Sequence, residues 1–537
     1  MSIPATPEPD DAAAAPSGPS EDLITDSRRR LLVLVAMCVA LVAVVASVSG
    51  LNVAQQALAV DLSASQSQLL WIINGYTLVL AALLMPVGAV GDRWGRKPVL
   101  LVGLAVFTAA NLASAFASSP SMLIGLRVAA GVGAAMIMPV TLSVITTSFP
   151  REEQAKAIGV WAGFAGGGAI IGIFVSAAII DNATWPWVFT TPIALAALAF
   201  VLTLVLVPHS VEGAIGAFDV AGSLLSIAAV GGIVLALHEG PEQGWTAPIT
   251  LVALAFGVVG AVLFVLVELR RDHPLLDVRI FAIRGLAAGS VNLFIVFAAM
   301  FAVFLVLVQF LQAVLGYSAL AAASGLLPTA AIMVPLSAIA PSIAERFGFR
   351  HTLVTGMLFL AAGLLLLALL AQPSGGYVSV LPGILVIGVG VGLSMSPSTA
   401  AITSSLPEEK QGVASALNDT VREMGGAVGI ALLGSVLNSS YQNSIEPVLA
   451  TLPPAAAEPV SEGIGGALAV AAQAGPQAAP LVDAARDAFV DGMVPALLLG
   501  AGLSVAAAIY TAVRGPKTAA EAEPRLHQQE PAPPATR

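Results

Sequence analysis

Asp419, Arg422 and Glu423 stand close together inside one apolar segment. At helical spacing the two acids share a face, and Arg422 lies close enough to Asp419 to pair with it. A charged side chain at the middle of a bilayer costs at least about 2.5–3.5 kcal/mol, so such groups persist where they pair, face water or work. Two neighbouring carboxylates in a low-dielectric medium can hold one proton between them near neutral pH. One arginine neutralises only one of the two, and an arriving cation can displace the proton. That is the chemistry of proton–cation exchange; a static arginine–acid brace is the alternative. Arg127, the lone charge of another apolar segment, reads as a proton-coupling partner or as an interhelical anchor. Asn74, Tyr76, Trp161 and Asn418, with Trp71, are candidates to line a cavity. Aromatic faces attract quaternary ammonium groups, although aromatics also belt membrane interfaces.

The elements that carry these residues follow from composition. Of 537 residues, 57% are hydrophobic and 10% charged, and the mean hydropathy is +0.92. A soluble domain has about 25% charged residues, so a water-soluble enzyme or nucleic-acid binder is excluded, and a net charge of −10 also argues against nucleic acid. The single cysteine, Cys38, rules out an intramolecular disulfide and reads as a small packing residue. The histidines show no metal spacing, and no nucleophile motif or phosphate loop is present outside apolar runs. No metal, cofactor or catalytic residue is expected.

A membrane-crossing helix needs about 20 apolar residues. Fourteen segments qualify: 31–51, 70–91, 98–117, 121–146, 155–180, 188–207, 219–238, 249–269, 285–311, 321–343, 351–371, 378–403, 412–437 and 492–513. With the N-terminus inside, 19 of the 22 lysines and arginines fall in inner loops and tails, Arg486 falls outside, and Arg127 and Arg422 lie within spans. That asymmetry is the positive-inside pattern, which an odd span count would break. The sequence divides into a disordered cytoplasmic tail (1–27), a six-helix half (28–207), two inserted spans with a cytoplasmic linker (208–284), a second six-helix half (285–514) with a long external loop (438–491), and a second disordered tail (515–537). Within that loop 481–489 suggests a short amphipathic helix. His238 and Glu239 are expected at the outer surface, closing span seven.

Two turns repeat. Asp92-Arg93-Trp94-Gly95-Arg96-Lys97 follows span two, and Glu345-Arg346-Phe347-Gly348-Phe349-Arg350 follows span ten. Both read acid–Arg–aromatic–Gly–x–basic. Internal repeats of this kind mark secondary transporters with a midplane site. In this reading Asp92, Arg93, Gly95, Arg96, Glu345 and Arg346 form a conformational latch, the acid pairing with arginines and capping a helix end.

With these motifs in place the chain resembles the major facilitator superfamily, in particular its fourteen-helix drug:proton antiporters that export multidrug and quaternary-ammonium substrates. The resemblance covers roughly residues 30–515. It is carried by Gly88-x-x-x-Asp92-Arg93-x-Gly95-Arg96-Lys97, Trp71-Ile-Ile-Asn74-Gly-Tyr76 and Leu123-x-x-x-Arg127-x-x-x-Gly131-x-Gly133. Further matches are Gly159-x-Trp161-x-Gly163 with Gly166, Gly167, Gly168 and Gly172, then Trp185-Pro-Trp187-Val-Phe189 and Pro274-Leu-Leu-Asp277-x-Arg279. The last is Asn418-Asp419-Thr-Val-Arg422-Glu423-Met-Gly425-Gly426. Departures are specific. The helix-one aspartate of relatives is replaced by Ser47, many relatives carry an acid where Asn74 stands, and Gly172-Ile173 and Ser176-Ala177 replace Gly-Pro and Gly-Gly.

The resemblance implies an all-α integral membrane protein with two six-helix halves plus two inserted helices. It implies a proton-coupled exporter of amphipathic, often cationic compounds, working by alternating access in the bacterial inner membrane with both termini cytoplasmic. Expected partners are the substrates, protons and membrane lipids, and the expected state is a monomer. Export of one endogenous metabolite or antibiotic, or lipid handling by spans seven and eight, stays open beside it.

Overall fold

A computed structural model describes residues 24, 26–208 and 218–516. The expected disordered tails, apart from their inner edges, and part of the linker between the sixth and seventh spans lie outside these. The described residues form helices and no strand. The first half comprises α1 (Ser27–Asp61), α2 (Gln66–Trp94), α3 (Arg96–Ser114), α4 (Pro120–Ser148), α5 (Arg151–Ile180) and α6 (Thr190–Leu206). The inserted pair is α7 (Val220–Gln243) and α8 (Pro248–Glu268). The second half comprises α9 (Arg284–Gln309), α10 (Ala319–Phe347), α11 (Phe349–Leu370), α12 (Leu381–Thr403), α13 (Gln411–Leu449), the short α14 (Pro454–Glu462) and α15 (Ile464–Ala474), and α16 (Ala479–Arg514). Among the described residues 14 helical segments are long and apolar enough to cross a membrane, and they correspond to the spans read from hydropathy.

Local chemistry sets the helix ends. Ser65 caps α2 in a reciprocal box with Gln68, and Asp26, Ser119, Asp219 and Ser318 cap α1, α4, α7 and α10. The two repeated turns are the same turn in backbone terms: Gly95 has φ 96° and ψ 138°, Gly348 φ 94° and ψ 140°. Only glycine enters that region without strain, which is why both turns keep it.

Small residues let the halves approach. A Cβ on Gly88 of α2 would sit 2.5 Å from the Gly412 carbonyl oxygen and 2.7 Å from Ala416 Cβ on α13. One on Gly159 of α5 would sit 2.6 Å from the Ser337 carbonyl oxygen on α10. The glycines of α5 are thus contact points against α10 and, at Gly168, against Val42 of α1. The inserted α7 and α8 pack on each other through Gly232, Gly257 and Gly260, and α7 lies against α2 and α13.

Three expectations need correction. The segment 438–491 is helical over most of its length: α13 runs on to Leu449, α14 and α15 follow, and 481–489 belongs to the first turns of α16 rather than to a separate short helix. Its alanines favour helix, and Pro454 and Pro480 fall in first turns where proline is tolerated. The Tyr441 hydroxyl donates to the Val460 carbonyl at 3.1 Å and holds α14 to α13. Helix seven continues past 238 to Gln243, and Glu239 is buried rather than at the surface. The second copy of the repeated turn leaves Glu345 and Arg346 exposed, as described below.

Candidate functional site

α13 carries a buried polar cluster of Asn418, Asp419 and Arg422. Asp419 is fully buried; its Oδ1 accepts from Arg422 Nη1 at 2.9 Å and from Asn418 Nδ2 at 3.2 Å. The Arg422 guanidinium lies 4.6 Å from the Phe297 ring centroid of α9 and 5.2 Å from that of Trp161 on α5. The cation is therefore held between an acid of its own helix and two aromatic faces from both halves. Glu423 is half-buried one turn on, close enough to act electrostatically on Arg422, Asp419 and Tyr76. Asp419 Oδ2, Asn418 Oδ1 and Arg422 Nε are buried with no hydrogen-bond partner among the described residues. The cluster thus has two carboxylates, one guanidinium and unused bonding capacity, the composition needed to exchange a proton or a cation. Glu423 lies twelve residues from the start of α13, roughly 18 Å along the axis at about 1.5 Å per residue.

Arg127 forms a second cluster, in the first half. It is fully buried, and donates from Nη1 to Ser47 Oγ at 2.8 Å, from Nη2 to the Ser47 carbonyl at 3.2 Å and from Nε to the Ile72 carbonyl at 3.3 Å. Its guanidinium lies 4.2 Å from the Tyr76 ring centroid, and Ser47 passes its own proton donor on to Asn111 Oδ1 at 3.1 Å. Among the described residues no carboxylate lies within ion-pair distance of Arg127. Serine at position 47 is the reason: its hydroxyl occupies the place nearest the guanidinium. Tyr76 and Trp161 are both fully buried, Tyr76 donating to the Val44 carbonyl at 3.1 Å and Trp161 Nε1 to Thr141 Oγ1 at 3.1 Å.

The repeated turns behave unequally. Asp92 is buried and caps α13 across the half interface, accepting from the Gly412 amide at 2.7 Å and the Val413 amide at 3.1 Å. Arg96 approaches Asp92 at 3.4 Å and donates to the Glu408 carbonyl at 3.2 Å, while Arg151 of α5 reaches the Glu408 carboxylate at 3.4 Å. Arg93 is half-buried beside them. In the second turn Glu345 is exposed, and Arg346 stacks over its neighbour Phe347 at 5.5 Å. Phe349 stands where Arg96 stands in the first copy, so the bridging cation is missing. What does repeat is the basic residue: Lys97 Nζ donates to the Leu204 and Val207 carbonyls ending α6, at 2.9 and 2.8 Å, and Arg350 donates to the Gly515 carbonyl after α16.

Of the cavity candidates, Asn418 and Trp161 join the α13 cluster and Tyr76 joins Arg127. Asn74 and Trp71 lie apart from both, in a groove between α2 and α7. Phe297, Asn111 and Glu242 carry no local signal in the sequence, and His238 and Glu239 are expected at the surface; tertiary packing alone brings these residues to their partners.

Comparison with known proteins agrees with this architecture. The family model described as Major Facilitator Superfamily matches residues 35–430. The multidrug efflux pump LfrA of Mycolicibacterium smegmatis is 34% identical over 85% of this chain and 90% of its own. The tetracenomycin C resistance and export protein of Streptomyces glaucescens is 32% identical over 94% of both chains. Among solved structures the proton:xylose symporter XylE superposes with a TM-score of 0.60 at 12% identity, covering 91% of this chain and 97% of that one, a likeness of fold alone.

Proposed function

The chain belongs to the major facilitator superfamily as a multi-pass membrane efflux transporter, and we propose that it is a proton-coupled exporter of amphipathic, often cationic compounds. The observation that carries this reading is the α13 cluster: two carboxylates one turn apart, one arginine paired with only one of them, and aromatic rings from both halves around the cation. With Arg127 answered by neutral acceptors, the carboxylates available for proton exchange between the halves are concentrated at Asp419 and Glu423. A protonated Glu423 gives up its proton when a cationic substrate enters beside it, and Arg422 moves between Asp419 and the aromatic faces as the charge changes. Proton exchange is coupled to rocking of the halves. Asp92 holds the face where α2 meets α13 shut by capping α13, and this face is the cytoplasmic one in the positive-inside orientation. The chain works as a monomer in the bacterial inner membrane with both termini cytoplasmic.

A second reading, export of one endogenous metabolite or antibiotic, draws on the acid-free Arg127 cluster, which suits a neutral substrate in the first half. Ethidium efflux from energised cells separates the two. Loss of gradient-driven efflux in Glu423→Gln supports the cation exporter; a narrow profile indifferent to substrate charge supports the second.

A further inference from the structure

A groove of about 310 Å³ opens between α2 and α7. On one side it is lined by Trp71 and Asn74 with Leu70 and Leu78 of α2, on the other by Leu235, His238, Glu239 and Glu242 of α7. Asn74 and Tyr76 are two residues apart, about 200° around the helix at about 100° per residue. Tyr76 faces Arg127 and Asn74 faces this groove, so α2 itself stands between the groove and the clusters described above. Trp71 is separated from Asp92 by almost the whole of α2, which puts the groove at the opposite end of the bundle from the Asp92 cap.

Its charge is uncompensated. Glu239 is 8% exposed and accepts from a neutral partner, the side-chain amide of Gln243. Glu242 stands at the open rim. No lysine or arginine lines the groove, and among the described residues neither acid takes part in an ion pair. His238 Nδ1 is buried without a hydrogen-bond partner. A buried carboxylate without a cation is costly and is complemented by one. The apolar wall, with the indole of Trp71, suits the hydrophobic body such a cation would carry.

We propose that the α2–α7 groove is a second binding site, distinct from the α13 cluster, that takes amphipathic organic cations: the ammonium against Glu239 and Glu242, the aromatic or alkyl body against Trp71 and the leucines. The site is a property of the folded chain and does not depend on export.

The test is equilibrium dialysis of ethidium against the purified full-length chain in detergent. The double variant Glu239→Gln/Glu242→Gln is expected to lose one bound ethidium per chain, or at least tenfold in its affinity. Asp419→Asn/Glu423→Gln is expected to keep that binding. Ser67 also lines the α2 side of the groove, so Ser67→Trp fills it without changing charge; this variant is expected to match the acid variant and replaces it if that variant does not fold. Wild-type stoichiometry and affinity in a folded Glu239→Gln/Glu242→Gln or Ser67→Trp protein overturn the proposal, as does a wild type that binds no ethidium. If vesicles show no proton-coupled efflux but this acid-dependent binding persists, the exporter reading fails and the groove site stands.

Discussion

Replacing Asp92 by alanine removes two charge-assisted bonds to the α13 amides of Gly412 and Val413, at 2.7 and 3.1 Å. A helix cap is worth typically ~1 kcal/mol, and a hydrogen bond to a charged group about 1.5–3 kcal/mol. When the halves part, water replaces these partners. The net bias toward the clasped state is then about 2 kcal/mol, which is roughly a 30-fold change in the clasped-to-open ratio at about 1.4 kcal/mol per tenfold. Val413 reports on that ratio because it is 4% exposed while the clasp is closed. With Cys38, the sole native cysteine, replaced by alanine, a Val413→Cys thiol reacts with a small maleimide only when the clasp opens. The Asp92→Ala change is expected to speed that reaction about 30-fold. Glu345→Ala, at the matching position of the second turn, is expected to leave the rate within about twofold, because Glu345 is exposed and exposed charges contribute little. An unchanged rate in Asp92→Ala, or an equal acceleration in Glu345→Ala, refutes the clasp.

Other consequences concern packing and buried charge. Gly88→Ala and Gly159→Ala drive a methyl group into the facing backbone of α13 and α10 and should reduce efflux at least about tenfold at equal expression, a barrier or stability change of about 1.4 kcal/mol; Gly125→Ala and Gly434→Ala, with open space around the added Cβ, should not. Asp419→Asn leaves Arg422 buried without its acid and should lower stability by about 3–5 kcal/mol in thermal unfolding, whereas Glu423→Gln keeps the 2.9 Å pair and should unfold like the wild type. Ser47→Asp places a carboxylate beside Arg127. A double-mutant cycle with Arg127→Met should give a favourable coupling of at least about 1.5 kcal/mol, as close charge pairs do, and a coupling near zero would show that Arg127 is not held by position 47.

The fourteen spans were legible because hydropathy and the placement of 22 basic residues test the same count independently. The α13 trio was legible because i, i+3 and i+4 spacing alone brings Asp419, Arg422 and Glu423 together. What local spacing does not carry is which helices meet. Ser47 appears in sequence as a missing acid; only the packing of α1 on α4 shows its hydroxyl accepting from Arg127 at 2.8 Å. Glu345 repeats the type of Asp92 but not its contacts: it is exposed and, among the described residues, caps no helix of the other half, and Phe349 fills the position of the arginine beside Asp92. Glu239 reads as a surface residue from its place near a span end, and its burial follows from α7 leaning on α2. The helices within 438–491 were hidden because prolines there, which usually end a helix, fall inside two of them, Pro447 in α13 and Pro459 in α14.

The proton-exchange role of Asp419 and Glu423 is tested most directly in vesicles holding only the purified chain and a pH-sensitive dye. Adding ethidium to one side should move protons in the opposite sense, with Glu423→Gln abolishing the proton signal while still folding and retaining the Asp419–Arg422 pair. Substrate movement with no accompanying proton flux in the wild type, or an unchanged proton signal in Glu423→Gln, would contradict it.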